Sequence, residues 1–405
     1  MNEWDFQPQE PLPLTTSQPY SPTHDISRTR VGIVGTGFIA SGLCRLLGGM
    51  EDLPLKKVLT HRPIESIPQI KPELLTVDTE DLVDSCDLIV ECSGDIHRAC
   101  EVVEMAFKKG LPVVTMGTEF HVTAGSYYCT KGYLTEAEGD QPGCLAALSE
   151  EALSMGFRPL VYGNIKGFLN HTPKQEDMAY WSHRNGISLA AVTSFTDGTK
   201  LQLEQVLVGN GLGAGILQRG MTGLKDLPLL ESGHALGARA QEYGGPVADW
   251  VLNPTLPAGV FVVGEHLAAS PEVLRYLKLG DGPFYTLLRP YHLCHFEIPR
   301  TIRRVLRGDR ALLNSGDSPT LQGVAVAKRP LAAGTVLENP IGGWDVRGEA
   351  IRIVDEPDAP PIGLLDGAVL RHSVSPGQTI RLSDVDIPDS LAKKAWEHMR
   401  RPSLA

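Results

Sequence analysis

The sequence predicts an α/β protein in three parts: an N-terminal doubly wound parallel sheet, a central α+β substrate domain and a small C-terminal β module. Three observations carry that prediction. An apolar, β-branched run, Val31-Gly-Ile-Val34, ends in Gly35-x-Gly37-x-x-Ala40. Strand-like runs then alternate with helical patterns up to residue 165. A ten-residue pattern near the carboxyl end recurs 43 residues after its first appearance.

The opening turn has a physical reason at each position. Gly35 permits a tight strand-to-helix turn, Gly37 removes the Cβ that would block a pyrophosphate, and Ala40 lets the following helix sit close on the strand. Arg30–Val34 is strand-like, Phe38–Leu47 is helix-like, and a second strand candidate, Lys56–Thr60, follows at βαβ distance, which is the context this glycine pattern needs to be a dinucleotide site. Unpaired N–H groups and the positive helix end let a chain of net charge −11 hold a polyanion. Gly35, Gly37, Phe38 and Ile39 are therefore predicted to line a dinucleotide. At the end of the second strand, where an NAD enzyme places Asp or Glu on the ribose, the chain has Thr60-His61-Arg62. His61 and Arg62 suit a 2′-phosphate, so NADP is the predicted cofactor; the competing reading of Arg62, which precedes Pro63, is a solvated loop residue.

Leu75–Asp78, Asp87–Gly94, the helix Ile96–Lys109 and Leu111–Met116 continue the alternation and complete a Rossmann-type parallel sheet. Ser93 and Gly94, at the carboxyl end of their strand, are placed against the cofactor. The unit from Gly139 through an amphipathic Cys144–Met155 to the strand Pro159–Tyr162 reads as the last βα repeat. The predicted divisions are a loose arm over 1–28, rich in Pro, Gln, Ser and Thr, the cofactor domain over 29–165, the substrate domain over 166–317, the β module over 318–390 and a tail over 391–405.

At 405 residues, 42% hydrophobic and 21% charged, the chain has the composition of a soluble globular protein of two or three domains. No apolar run approaches a membrane span and the start lacks a signal-peptide pattern, so a cytoplasmic location is the expectation. Seven cysteines without a C-x-x-C pair read as reduced thiols, with no disulfide framework or zinc site; a divalent metal is left open as a second cofactor without being predicted. An acidic balance without a basic tract excludes nucleic acid and anionic membranes as partners. A homo-oligomer, dimer or tetramer, is expected of a large enzyme with sheet edges.

Two stretches could carry chemistry. In Ser194-Phe-Thr-Asp197-Gly-Thr-Lys200-Leu-Gln-Leu-Glu204, a helix starting at Lys200 puts Lys200 and Glu204 on one face with Asp197 at its mouth. A partly desolvated amine held by carboxylates can protonate or polarise a carbonyl oxygen as hydride moves, so Lys200 is the candidate acid/base and Asp197 its partner. The competing reading is a solvated Lys200–Glu204 pair with Asp197 as a helix cap. In Arg289-Pro-Tyr-His292-Leu-Cys-His295-Phe-Glu297, an Arg within an apolar strand needs an anion, either Glu297 or a substrate phosphate or carboxylate, and His292 could share that task. The spacing of His292, His295 and Glu297 matches no zinc helix. Lys166 and Glu119 are further candidates by position alone.

The carboxyl echo aligns Lys328-Arg-Pro-Leu-Ala-Ala-Gly334-Thr-Val-Leu337 with Arg371-His-Ser-Val-Ser-Pro-Gly377-Gln-Thr-Ile380, two copies of a strand, turn and strand. The pattern resembles the SAF domain, a compact β-clip fold. Together with Gly139-Asp-Gln-Pro-Gly143, Ser194–Lys200, Asp281-Gly-Pro-Phe284 and Arg289-Pro-Tyr-His-Leu293, it makes the chain from Arg30 to Ser390 resemble homoserine dehydrogenase-like oxidoreductases that end in a SAF domain. One branch of that family looks like a 1-deoxy-D-xylulose 5-phosphate reductoisomerase. The resemblance implies NADPH-linked chemistry on a small anionic hydroxy or carbonyl compound, with a reductoisomerase of that kind as one form. Alternatives are a plain dehydrogenase of an amino or hydroxy acid and a cofactor-binding regulatory protein without turnover. Where authentic homoserine dehydrogenases carry Ala-Asn-Lys, this chain has Gly117-Thr-Glu119-Phe-His121, which argues against homoserine as the substrate.

Overall fold

A computed structural model of the protein describes residues 29–400; the arm expected over 1–28 and residues 401–405 lie outside it. The first sheet contains β1 (Val31–Val34), β2 (Leu55–Leu59), β3 (Leu75–Thr76), β4 (Leu88–Glu91), β5 (Val113–Thr115) and β6 (Leu134–Glu136). Its order is β3-β2-β1-β4-β5-β6, and every pairing is parallel. Helices cover both faces, so the strands are apolar throughout: β1, β4 and β5 are buried at every residue. The chain order reverses direction between β1 and β4, which opens a crevice at their carboxyl ends.

The second sheet is mixed. It orders β11 (Tyr285–Arg289), β10 (Val260–His266), β7 (Phe157–Lys166), β9 (Val247–Leu252) and β8 (Leu224–Lys225), with β7 antiparallel to β10 and parallel to β9. The expected last βα repeat is thereby corrected. β7 is the middle strand of this second sheet and pairs with no strand of the first. The preceding helix, Gln141–Ser154, is buried at ten of its fourteen positions, so it is a core helix between the domains and not an amphipathic surface helix. The chain also returns to the first domain before residue 317: helix Ile298–Leu306 buries Ile298, Ile302 and Val305 in that domain's core, and the Glu136 N–H donates to the Leu313 carbonyl at 2.7 Å.

The C-terminal module pairs β12 (Leu321–Ala327) with β14 (Val346–Arg352), and β13 (Val336–Leu337) with β15 (Ala368–Leu370) and β16 (Val385–Asp386). The sequence echo is a pseudo-twofold in space. Leu331 and Val374, equivalent positions, exchange both backbone hydrogen bonds at 2.9 Å. Gly334 donates to Leu370 at 2.7 Å while its counterpart Gly377 donates to Ala327 at 2.8 Å. Both glycines have positive φ, 84° and 81°, which is why each copy needs Gly there. The segment after 390 is a helix, Leu391–Arg400, that buries Ala392, Ala395 and Trp396 in the first domain's second core, so the expected tail is an ordered packing element up to Arg400.

Candidate active site

The phosphate turn follows β1. Gly35 has φ +103°, and a Cβ there would come within 2.9 Å of the Cys92 carbonyl oxygen, so the turn after β1 and the loop after β4 meet backbone to backbone. Gly37 caps the helix Phe38–Leu47 without a side-chain bond to its amides, and the space its Cβ would fill is open. Ala40 is fully buried. The first-turn N–H groups therefore face free space, the arrangement a diphosphate requires. Gly94 is open in the same way at φ +71°. The Ser93 N–H instead donates to Glu91 Oε1 at 2.7 Å, and its hydroxyl turns to the same atom. The exposed Arg62 folds back over the turn: Nε donates to Thr36 Oγ1 at 3.1 Å, and Nη2 reaches the Thr36 carbonyl and hydroxyl oxygens. His61 beside it is exposed. Phe38 is 55% exposed and meets the His295 ring edge-on with centroids 5.8 Å apart, and Ile39 packs half-buried on the core. Open amides, a missing Cβ and a guanidinium at the turn fit a nicotinamide dinucleotide.

Lys200 sits in the first turn of helix Thr199–Leu212. Its ammonium is 3.2 Å from Asp140 Oδ2 and 3.3 Å from Glu119. Glu119 comes from the loop after β5 and Asp140 from the loop after β6, where Thr118 Oγ1 donates to its Oδ2 at 3.0 Å. Lys166, the last residue of β7, donates to Gln141 Oε1 at 2.6 Å and lies 3.5 Å from Glu204. Asn164 donates to Glu204 at 2.8 Å and accepts from Gln141 Nε2 at 2.8 Å. His292 Nδ1 is 3.2 Å from the Gly139 carbonyl oxygen. Strand ends of two sheets and one buried helix thus bring two amines, three carboxylates and an imidazole to one place.

Burial alone would push the Lys200 amine down, but Asp140, Glu119, Glu204 and Glu136 more than reverse this and hold it well above the ordinary lysine range. Asp140 is lowered: burial would raise it, and Lys200 and His292 outweigh that. Glu204 is raised, burial outweighing Lys166. Behind this group lie His121 and Glu136, both fully buried, with Nε2 and Oε2 3.4 Å apart. Their four polar side-chain atoms have no other hydrogen-bond partner, and His121 opens a single π-helical turn, His121–Gly125. Among the described residues no three His, Cys, Asp or Glu side chains form a group able to hold a metal ion.

One pairing read from the sequence is corrected and one role is reassigned. Asp197 does not hold Lys200: its Oδ2 accepts from Lys328 at 2.5 Å and its Oδ1 from the Thr199 N–H at 2.9 Å. Asp197 lies behind the helix start, facing the C-terminal module, while Lys200 points to the strand ends. Arg289 meets Glu297, one of the two anions the sequence offered it, and also Glu138 at 3.1 Å; this internal compensation, which a buried guanidinium demands, replaces the expected substrate anion, so Arg289 is not in the catalytic group. Glu204 and His292 do reach the site, as do Glu119 and Lys166. Asp140 and Gln141 lie in the Gly139–Gly143 motif but were given no role in the site, and Asn164 was not singled out. Asp140 carried a readable signal, an N-cap Asp followed by Gln and a helix-starting Pro142; Asn164 carried none, lying inside an apolar strand.

Two family models match stretches of the chain. Residues 35–123 match the model of the NAD binding domain of homoserine dehydrogenase. Residues 139–298 match the catalytic domain of the oxidoreductase DRL, a span that contains Asp140, Lys166, Lys200, Glu204 and His292. The protein is an NAD(P)-dependent oxidoreductase. Solved structures similar to it include a "probable dehydrogenase from Thermotoga maritima", 15% identical, covering 71% of this chain and 92% of its own with a TM-score of 0.43. UDP-N-acetylglucosamine 3-dehydrogenase from Acidithiobacillus ferrooxidans is 11% identical, covers 71% and 92%, and has a TM-score of 0.42. S. aureus homoserine dehydrogenase is 16% identical, covers 45% and 52%, and has a TM-score of 0.28. No curated protein matches the sequence. Among the described residues no helix is long and apolar enough to cross a membrane.

Proposed function

We propose that the protein is an NADP-linked dehydrogenase or reductase of a small hydroxy or carbonyl compound, with Lys200 handling the proton of the reacting oxygen. The observation that carries this reading is the Lys200 ammonium, 3.2 Å from Asp140 and 3.3 Å from Glu119 at the carboxyl edge of the dinucleotide sheet. When bound, the nicotinamide supplies or accepts the hydride.

Lys200, charged at rest, donates a hydrogen bond to the substrate oxygen and gives up a proton as negative charge develops there; Asp140 and Glu119 hold the amine in line and stabilise its charged form. Lys166, fixed by Gln141 and Glu204, and His292, fixed on Gly139, orient the remaining oxygens of the substrate. Arg62 on the turn supports NADP over NAD. With three carboxylates against two ammonium groups, the pocket favours a hydroxylated substrate of low charge over a polyanion, so the reductoisomerase reading is the less favoured of the two.

A spectrophotometric screen of NADPH consumption against neutral and phosphorylated ketoses, aldehydes and keto acids, with and without Mg²⁺, tests the proposal. Turnover should appear with a neutral or singly charged compound and should not depend on Mg²⁺. Lys200→Met should lower it by about 10²–10⁴-fold while NADPH binding by calorimetry is unchanged. Full activity of Lys200→Met, or no uptake of either nicotinamide coenzyme by folded protein, overturns it.

A further inference from the structure

We infer that the C-terminal β module is a positioning device for the reacting amine, acting through the buried ion pair of Lys328 with Asp197. This inference rests on Lys200 being the proton-handling group proposed above.

Helix Thr199–Leu212 begins at Gly198, which has φ +88° and offers no side chain to cap the first turn. A helix start without a cap frays, because its leading N–H groups have no partner within the helix. Here the cap is supplied from outside. Asp197 accepts from the Thr199 N–H at 2.9 Å, and its second oxygen is held by Lys328 at 2.5 Å. Lys328 in turn donates to the Gly343 carbonyl at 2.7 Å, so the pair is anchored in the β module. Asp197 is fully buried and the Lys328 side chain is 5% exposed, which leaves water no means of replacing either partner.

β14 makes the next contacts along the same turn. The Gly348 N–H donates to Thr199 Oγ1 at 2.8 Å and the Ala350 N–H to Gln202 Oε1 at 2.9 Å. Close approach is built in: a Cβ on Gly348 would lie 2.8 Å from Thr199 Cγ2, and one on Gly323 of β12 would lie 2.1 Å from Leu203 Cδ2. Three positions around Lys200, namely 199, 202 and 203, are therefore fixed by the module, while the carboxylates Lys200 must meet come from the other domain. Both sets of contacts converge on one side chain. A displacement of about 1 Å at a reacting group can lower a rate by about 10²-fold, so Lys328 and Asp197 act on turnover through Lys200 without touching substrate.

The test is reductive methylation of the intact protein with formaldehyde and cyanoborohydride, read residue by residue by peptide mass spectrometry. Lys166 in the same molecule is the internal control. Asp197→Asn keeps the cap acceptor and the side-chain size but removes the charge; Lys328→Met removes the donor. Where Lys328→Met does not fold, Asp197→Asn carries the test. Expected is methylation of Lys200 faster by about tenfold with Lys166 unchanged and NADPH binding retained, and kcat lowered by up to about 10²-fold with a smaller change in KM. Labelling of Lys200 at the wild-type rate in folded Asp197→Asn, or an equal rise at Lys166, overturns the inference. Because labelling needs no substrate, this result stands apart from whether the proposed reaction is found.

Discussion

His121 and Glu136 make the sharpest residue-scale prediction, since both are sealed from water and bond to little else. Burial pushes His121 down from an ordinary 6.5 to about 3, so it is neutral in the fold, whereas in the unfolded chain it takes up a proton below about 6.5. The sign follows from linkage: the stability this imidazole contributes is present above pH 6.5 and is lost as pH falls from there towards about 3, at up to about 1.4 kcal/mol per pH unit. Urea midpoints measured across that window should show a shallower slope in His121→Gln than in the wild type. Equal slopes would mean that the fold holds His121 charged. At the cofactor turn, Arg62→Ala should reduce preference for NADPH over NADH by about tenfold or more, the loss of at least one charge-assisted hydrogen bond to a phosphate; unaltered preference in ratios of coenzyme Kd would return Arg62 to the role of a loop residue.

At the scale of elements, the two glycines of the turn separate folding from binding. Gly37 has φ −75°, which any residue adopts, and open space at its Cβ, so Gly37→Val should leave the denaturation midpoint nearly unchanged while blocking coenzyme binding in calorimetry. Gly35→Ala should instead destabilise by about 1–3 kcal/mol, because φ +103° and the 2.9 Å approach to Cys92 strain any side chain. The reverse order of effects would remove the diphosphate from this turn. The turn was legible because each requirement falls on consecutive residues. Strand β7 was not: Pro159–Tyr162 reads as a buried apolar run, and such a run says that a strand is covered on both faces without saying which sheet it joins. The same ambiguity hid the burial of helix Gln141–Ser154 and the docking of Leu391–Arg400, whose apolar stripe includes Ala392, Ala395 and Trp396.

For the whole molecule, the Arg289 network is a bolt between domains. Glu138 follows β6 of the first sheet, Arg289 ends β11 of the second, and Glu297 starts the return to the first domain. Arg289→Met leaves buried Glu297 without a cation and Glu138 with only the exposed Arg300 at 3.1 Å, so stability should fall by about 3 kcal/mol in denaturant titrations, with KM of the folded fraction unchanged. A large rise in KM at wild-type stability would restore the anion-holding role that the sequence suggested. The C-terminal module packs on the Lys200 helix and helix Leu391–Arg400 on the first domain's core.

By itself the sequence determined the phosphate turn, the parallel alternation after it and the two-copy module, because positive φ, missing Cβ atoms and apolar periodicity are properties of neighbouring residues. Lys200 was identifiable as an amine at a helix start, and Arg289 as a cation in need of an anion. Glu297, eight residues beyond Arg289, was readable as one anion for it; only the tertiary structure decided the distant partners: Glu119 lies 81 residues from Lys200 and Glu138 lies 151 from Arg289. Charges attract whatever the fold brings within a few ångström, and the polar pattern of a single chain does not encode which distant carboxylate that is.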